Sequence, residues 1–337
     1  FFKMAFNKAI DLKILANYKV IGLGLTKNDL GLHLFQKVKA SNLGTTDIKD
    51  LASKIGLIKA TEKYNLKRII TFHSNIDNAE NYLNEEIVTS LPNVIKIQKS
   101  KTKFYLDTIK SRQNTGDRKR KLNTLKNIDL DFPKHTGLIT NCFCLGEGVD
   151  VPELDCVAFI SEKHSPIEIV QAVGRAIRKP KQKDNKKNFG YIFIPLLVDK
   201  KEIDPNKING FKTLIKVIKA LRAHDEELSE LIDTLKSYAT KGEATLIRKF
   251  SDKINIILPK EIDTFEFAKN ITTEIINFSA DNFEVNFLKL KKYYEEHGNT
   301  EVKQNYSIDP KFGVWVNSLR VLYKSNSLSN YKIEKLK

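Results

Sequence analysis

Gln171-Ala172-Val173-Gly174-Arg175-Ala176-Ile177-Arg178 is the stretch on which the reading of this chain turns. As a helix it puts Gln171, Arg175 and Arg178 on one face, at i, i+4 and i+7. Two guanidiniums converging from one face suit a phosphate, because each is permanently charged and binds oxygens in a fork. Arginines on a surface helix are common, so this geometry alone describes an exposed face. Gly174 weighs slightly against that, since a glycine inside a helix costs about 1 kcal/mol and usually has a packing or ligand reason.

Upstream lies Leu145-Gly146-Glu147-Gly148-Val149-Asp150-Val151-Pro152, directly after a strand-like run. Glycines there let a backbone approach a ligand closely, and Asp150 can accept from a hydroxyl such as a ribose's. By itself the stretch is an ordinary Gly/Asp/Pro turn. Around both stretches, β-type runs alternate with helical patterns from about 61 to 198. The runs are Ile69–Phe72, Val94–Ile97, Gly137–Thr140, Cys156–Ile160 and Tyr191–Ile194; helical spacing falls near 77–87, 118–127, 166–178 and 211–224. This alternation predicts an α/β fold, a mostly parallel sheet with helices on its faces, with ligands at the C-terminal ends of the strands. Lys19–Leu25 reads as a further strand; its Gly-x-Gly lacks the third glycine of a dinucleotide fingerprint.

The 337 residues allow about two domains, and 41% hydrophobic content supports a packed core. No apolar run reaches transmembrane length, and no signal-like run follows Phe1-Phe2-Lys3-Met4. A start at Phe and an end inside a helical pattern read as a fragment of a longer protein. The net charge of +16 favours a polyanionic partner, although a Lys-rich proteome would give a similar surface. Cys142, Cys144 and Cys156 are too few for a disulfide framework and lack zinc-site spacing; they read as core residues in a reducing, cytoplasmic compartment. Lys179–Asn188 forms a basic loop, 211–238 a helical stretch and 251–282 a connector. From 283 onward, Phe283, Phe287, Leu290 and Tyr294, then Trp315, Leu319 and Leu322, fall at helical spacing.

Together these features resemble superfamily 2 helicases and translocases of the DEAD/DEAH and restriction type. Gly148-Val149-Asp150 with Pro152 is similar to that family's motif V, Gln171-x-x-Gly174-Arg175-x-x-Arg178 to its motif VI, and Arg68–Phe72 to its motif IV. Phe6–Ile10 and Tyr18–Ile21 resemble the entry to this half in restriction-type members. Leu290, Tyr293-Tyr294, His297-Gly298, Phe312-Gly313, Trp315-Val316, Arg320, Tyr323 and Leu328-Ser329 resemble the helicase-associated domain. The order implied is an entry segment over 1–60, a second RecA-like domain over 61–200, a helical extension and connector over 201–280, and a small all-α helicase-associated domain over 281–337.

By this resemblance, Arg175 and Arg178 are arginine fingers on the γ-phosphate of ATP, and Gln171 connects that phosphate to the neighbouring domain. Asp150 approaches the ribose, Gly148 allows close backbone packing, Gly174 belongs with them to the nucleotide-binding set, and Asn141 faces the nucleic-acid backbone. The partners implied are nucleic acid, with DNA favoured over RNA, and an N-terminal RecA-like domain of the same protein that would hold most of the Mg2+ ligands. No G-x-x-x-x-G-K-[ST] phosphate loop occurs in the sequence. Asp225-Glu226-Glu227-Leu228 sits in a helical pattern with no strand before it, and is rejected as the magnesium motif. The chain alone is therefore expected to be inactive as an ATPase.

Residues 96–126 carry eleven Lys or Arg against two Asp, densest at Arg118-Lys119-Arg120-Lys121, with Phe104 and Tyr105 interleaved. Such a stretch suits a single strand, and equally a solvated helix face. Two other readings stay open: a non-enzymatic nucleic-acid-binding module with a helicase-like fold, and a motor-subunit fragment of a restriction system, for which no nuclease motif is visible.

Overall fold

The computed structural model describes residues 6–26, 45–110, 112–142, 154–161, 165–179, 187–198, 208, 210–237, 244–257, 273–275, 283–326, 328 and 330–336. The strands are β1 (Asn17–Leu25), β2 (Arg68–Phe72), β3 (Lys103–Ile109), β4 (His135–Asn141), β5 (Cys156–Phe159), β6 (Phe189–Leu197) and β7 (Ile254–Ile257). They form one seven-stranded sheet in the order β3-β4-β2-β5-β6-β1-β7, and every pairing is parallel. This is a RecA-like α/β fold. Its sheet takes in β1 from the first 60 residues and β7 from beyond residue 250.

Successive strand residues point to opposite faces, and both faces are buried. Ile70, Ile139, Val157 and Ile192 enter one core; their chain neighbours Ile69, Leu138, Ala158 and Phe193 enter the other. On the second face lie α2 (Thr45–Tyr64), α3 (Ile76–Asn81) and α4 (Leu91–Gln98). The first face is covered by α5 (Thr115–Lys126), α7 (Pro166–Ala176), α8 (Phe211–Arg222) and α9 (Glu226–Ser237). The remaining elements before the tail are α1 (Phe6–Asp11), α6 (Ile128–Asp131) and α10 (Ala244–Lys253).

Val94–Ile97, expected as a strand, lies inside α4. A short apolar run has no period of its own, and its flanks decide. Pro92 stands in the first turn, Leu91 and Val94 bury one helical face, and Lys99 closes the helix in the left-handed conformation at φ 50. Two strands escape the sequence pattern, β3 and β7, the two edges of the sheet.

The tail folds as α11 (Phe283–His297), α12 (Pro310–Lys324) and α13 (Asn330–Leu336). Trp315 packs against both of its small cores, one around Leu290, Val302, Phe312 and Val316, the other around Phe283, Leu319 and Leu328. Arg320 donates to the carbonyls of Thr300 and Val302 at 2.8 and 3.0 Å, which fixes the turn before α12. His297 ends α11 with its ring stacked on Tyr293 at 4.1 Å.

Candidate functional site

α7 is built to present one face. Ser165 caps it and forms a capping box with Glu168, while Pro166 pre-sets the first turn. Ile169, Ala172, Val173 and Ala176, at i, i+3, i+4 and i+7, bury one side against the sheet. Gln171 and Arg175 therefore stand on the other side, Gln171 exposed and Arg175 half-buried. Arg178 is placed differently from the helical expectation. The helix stops at Ala176, and Arg178 is positioned by an antiparallel bridge to Leu15, beside the bond from the Ala16 N–H to the Ile177 carbonyl at 2.7 Å. Its exposed side chain thus leaves from the seam between α7 and the segment leading into β1.

Two glycines around this helix differ in their reasons. A Cβ on Gly190 would lie 2.4 Å from the Ala176 carbonyl oxygen, so β6 passes the end of α7 closely only because residue 190 is glycine. A Cβ on Gly174 would meet nothing within 4 Å, so packing does not explain it. Gln171 also lines an apolar groove between α7 and α8, walled by Ile167, Val170 and Ala220 and edged by Lys216 and Lys219.

Gly148, Asp150 and the rest of the stretch Leu145–Pro152 lie outside the described residues, as does Cys144. Asn141, at the end of β4, is fully buried, and its carbonyl accepts from the His73 N–H at 3.0 Å. Arg68 begins β2 at the opposite, N-terminal end of the strands, where its guanidinium meets Asp129 at 2.6 Å and the Lys126 carbonyl at 3.0 Å; it holds α5 and α6 to the sheet.

The basic run Arg118–Lys121 occupies one turn of α5, capped by Asn114. Lys119 and Arg120 are exposed. Lys121 is committed to the Asp107 carboxylate at 2.5 Å and the Thr108 carbonyl at 2.7 Å, and Arg120 lies 3.5 Å from Asp117. Of the two aromatics in this region, Tyr105 packs against Phe132 with the rings tilted and their centroids 4.7 Å apart. Burial, then the Asp107 carboxylate, push its hydroxyl up to about 12.

Asp225 ties several elements together. It is fully buried, accepts from the Leu228 N–H at 3.0 Å, pairs with Lys253 at 2.8 Å and binds the Tyr18 hydroxyl. Among the described residues, no group of three or more His, Cys, Asp or Glu is placed to hold a metal, and no helix is long and apolar enough to cross a membrane. Cys142 and Cys156 are buried and form no disulfide.

A set of residues that the motifs did not single out gathers at the C-terminal ends of β2, β5 and β6. His73, Asn78, Tyr82, Phe159 and Ser161 line a cleft of about 440 Å³ there. The polar run His73-Ser74-Asn75 directly after a buried strand was the available signal.

Residues 50–180 match the family model of the helicase conserved C-terminal domain, and residues 280–337 match that of the helicase associated domain. A protein named "Probable helicase" from African swine fever virus is 34% identical over 97 residues, which are 29% of this chain and 10% of the viral protein. A solved structure described as an ATP-dependent Type ISP restriction-modification enzyme LlaBIII bound to DNA superposes with a TM-score of 0.67 at 20% identity, covering 100% of this chain and 25% of that one. This chain spans a tenth and a quarter of these two proteins respectively. It carries the superfamily 2 helicase C-terminal fold followed by a helicase-associated domain.

Proposed function

We propose that this chain, with the superfamily 2 helicase C-terminal fold and its helicase-associated module, serves as the C-terminal half of an ATP-dependent nucleic-acid helicase or translocase. The observation that carries the reading is the division of α7: one face fully buried, the other offering Gln171 and Arg175, with Arg178 emerging exposed at its end. An amide and a guanidinium on one face of α7, with a second guanidinium just past its end, fit a polyphosphate. Arg175 and Arg178 would stabilise charge developing on the γ-phosphate of ATP, and Gln171 would link that phosphate to the neighbouring domain.

Asp150 and Gly148 would receive the ribose side. The phosphate loop and most Mg2+ ligands would come from an N-terminal RecA-like domain of the full-length protein. Nucleic acid, with DNA favoured over RNA, would cross the strand ends near Asn141, whose enclosed side chain shapes the end of β4 beneath that path. Lys119 and Arg120, the exposed members of the basic turn, offer phosphate contacts beside it; Arg118 and Lys121 support that turn.

In the full-length protein, Arg178→Ala is expected to lose most nucleic-acid-stimulated ATP turnover while strand binding survives. Unchanged turnover would remove the arginine-finger role. Robust hydrolysis by residues 1–337 alone would contradict the division of labour between the two halves. Stimulated turnover absent from the intact protein, with strand binding retained, would favour a binding module instead.

A further inference from the structure

The cleft beside His73 sits where the sheet's connections diverge. β2 and β5 are hydrogen-bonded neighbours, yet the chain leaves β2 towards β3 on one side of the sheet and leaves β5 towards β6 on the other. The helices that follow them, α3 with α4 and α7, lie on opposite faces. The connections of β2 and β5 diverge at their C-terminal ends, and open parallel sheets seat ligands outside the strand ends at such a switch point. Phe72 and Phe159 pair their rings at 5.5 Å across the two strand ends, and just beyond them the Ser74 N–H donates to the Ser161 hydroxyl at 3.1 Å.

The lining has a definite chemistry. His73 and Tyr82 meet edge to face at 4.8 Å and, with Phe159, supply flat aromatic walls. Asn78 and Asn81, three residues apart on α3, bring side-chain amides that both donate and accept. The Tyr82 hydroxyl is enclosed, with Ser53 as its polar neighbour. Flat walls with paired donors and acceptors match a planar heterocycle with a hydrogen-bonding edge. They do not match a free nucleotide: Lys49 is the one Lys or Arg among the described lining residues, and Asp50 stands beside it. Among the described lining residues a polyphosphate would find little positive charge, whereas a base that hangs from a backbone held outside needs none.

We infer that this cleft receives a single unstacked nucleobase from a strand lying across the ends of β2 and β4. The mouth adjoins the proposed path directly, since the His73 N–H bonds the Asn141 carbonyl. The inference rests on the reading that the full-length protein binds nucleic acid. One seated base would turn a sequence-neutral backbone grip into a grip with a fixed register, advancing by whole nucleotides.

The test uses the full-length protein and a partial duplex whose junction fixes the register of a single-stranded overhang. One abasic site is moved along the overhang, and affinity is measured at constant salt. One position is expected to weaken binding by about tenfold, as loss of a stacked base does, with its neighbours near neutral. Asn81→Leu, at an exposed position, is expected to lower affinity for the intact overhang and to erase the positional effect. Tight binding with no sensitive position would overturn the pocket, as would a sensitive position that Asn81→Leu leaves intact. If the intact overhang does not bind at all, the nucleic-acid reading itself fails, and the pocket with it.

Discussion

The Tyr18 hydroxyl donates a 2.5 Å hydrogen bond to the Asp225 carboxylate across 207 residues of sequence. It ties the buried strand β1 to the start of α9, and Lys253 closes the same cluster from α10. Burial first, and the neighbouring carboxylate second, raise the Tyr18 phenol well above its ordinary value, so it stays a donor. Tyr18→Phe is expected to lower unfolding stability by about 1–3 kcal/mol, because a buried charged acceptor loses a partner. Asp225→Ala should cost about 3 kcal/mol or more, since it leaves Lys253 half-compensated in a buried site. Urea unfolding of the chain measures both; equal and negligible effects would show that the cluster does not join the elements.

Gly174→Ala separates stability from function. Open space at the Cβ position predicts a gain of about 0.5–1 kcal/mol in helix stability. If α7 lies against a phosphate, the same variant of the full-length protein should turn over ATP more slowly. A stabilised variant with unchanged turnover would mean that no ligand needs the gap.

Gly190→Ala should act in the opposite sense. The added methyl would stand 2.4 Å from the Ala176 carbonyl, a backbone atom with little room to retreat. A loss of about 1–3 kcal/mol is expected from overpacking, read as a lower urea midpoint. Parent-like stability would show that β6 and α7 can part at no cost.

Asp155 gives a pH signature. Burial holds its carboxyl above the usual value, although one oxygen accepts from the backbone N–H groups of both Lys67 and Arg68, at 2.8 and 3.0 Å. The folded chain therefore binds this proton more tightly than the unfolded chain. Its contribution is fully present below the ordinary carboxylate pKa and is lost as pH rises through the raised folded value. Asp155→Asn keeps an oxygen for the two N–H groups and removes the titration. Relative to the parent, the variant should gain stability as pH rises from about 4 to 7. A constant difference across that range would show that Asp155 is not the titrating group.

Much of the sheet could be read from the chain because its central strands bury both faces: Ile69-Ile70 and Leu138-Ile139 send one apolar residue to each core. The edges resist such reading. β3 is half-exposed along most of its length and mixes Lys103 and Asp107 among its aromatics, and β7 has four residues in a stretch expected to connect. The face of α7 was legible because helical spacing carries Gln171 and Arg175 to the same side; Arg178 was not, because a bridge to Leu15 overrides that spacing. The cleft at the switch point was invisible for another reason. His73, Ser161 and Tyr82 meet only through the strand order, which no local pattern states.

Trp315 is the one tryptophan among the 337 residues, and it is wedged between the two small cores of the tail. Intrinsic indole emission from this chain is therefore a local gauge: it registers the three-helix tail and nothing else. Circular dichroism, weighted by the helices around the large sheet, follows the other part. Heating one sample and comparing the two signals would show whether the tail melts with the sheet or as a separate cooperative unit, without any label or truncation.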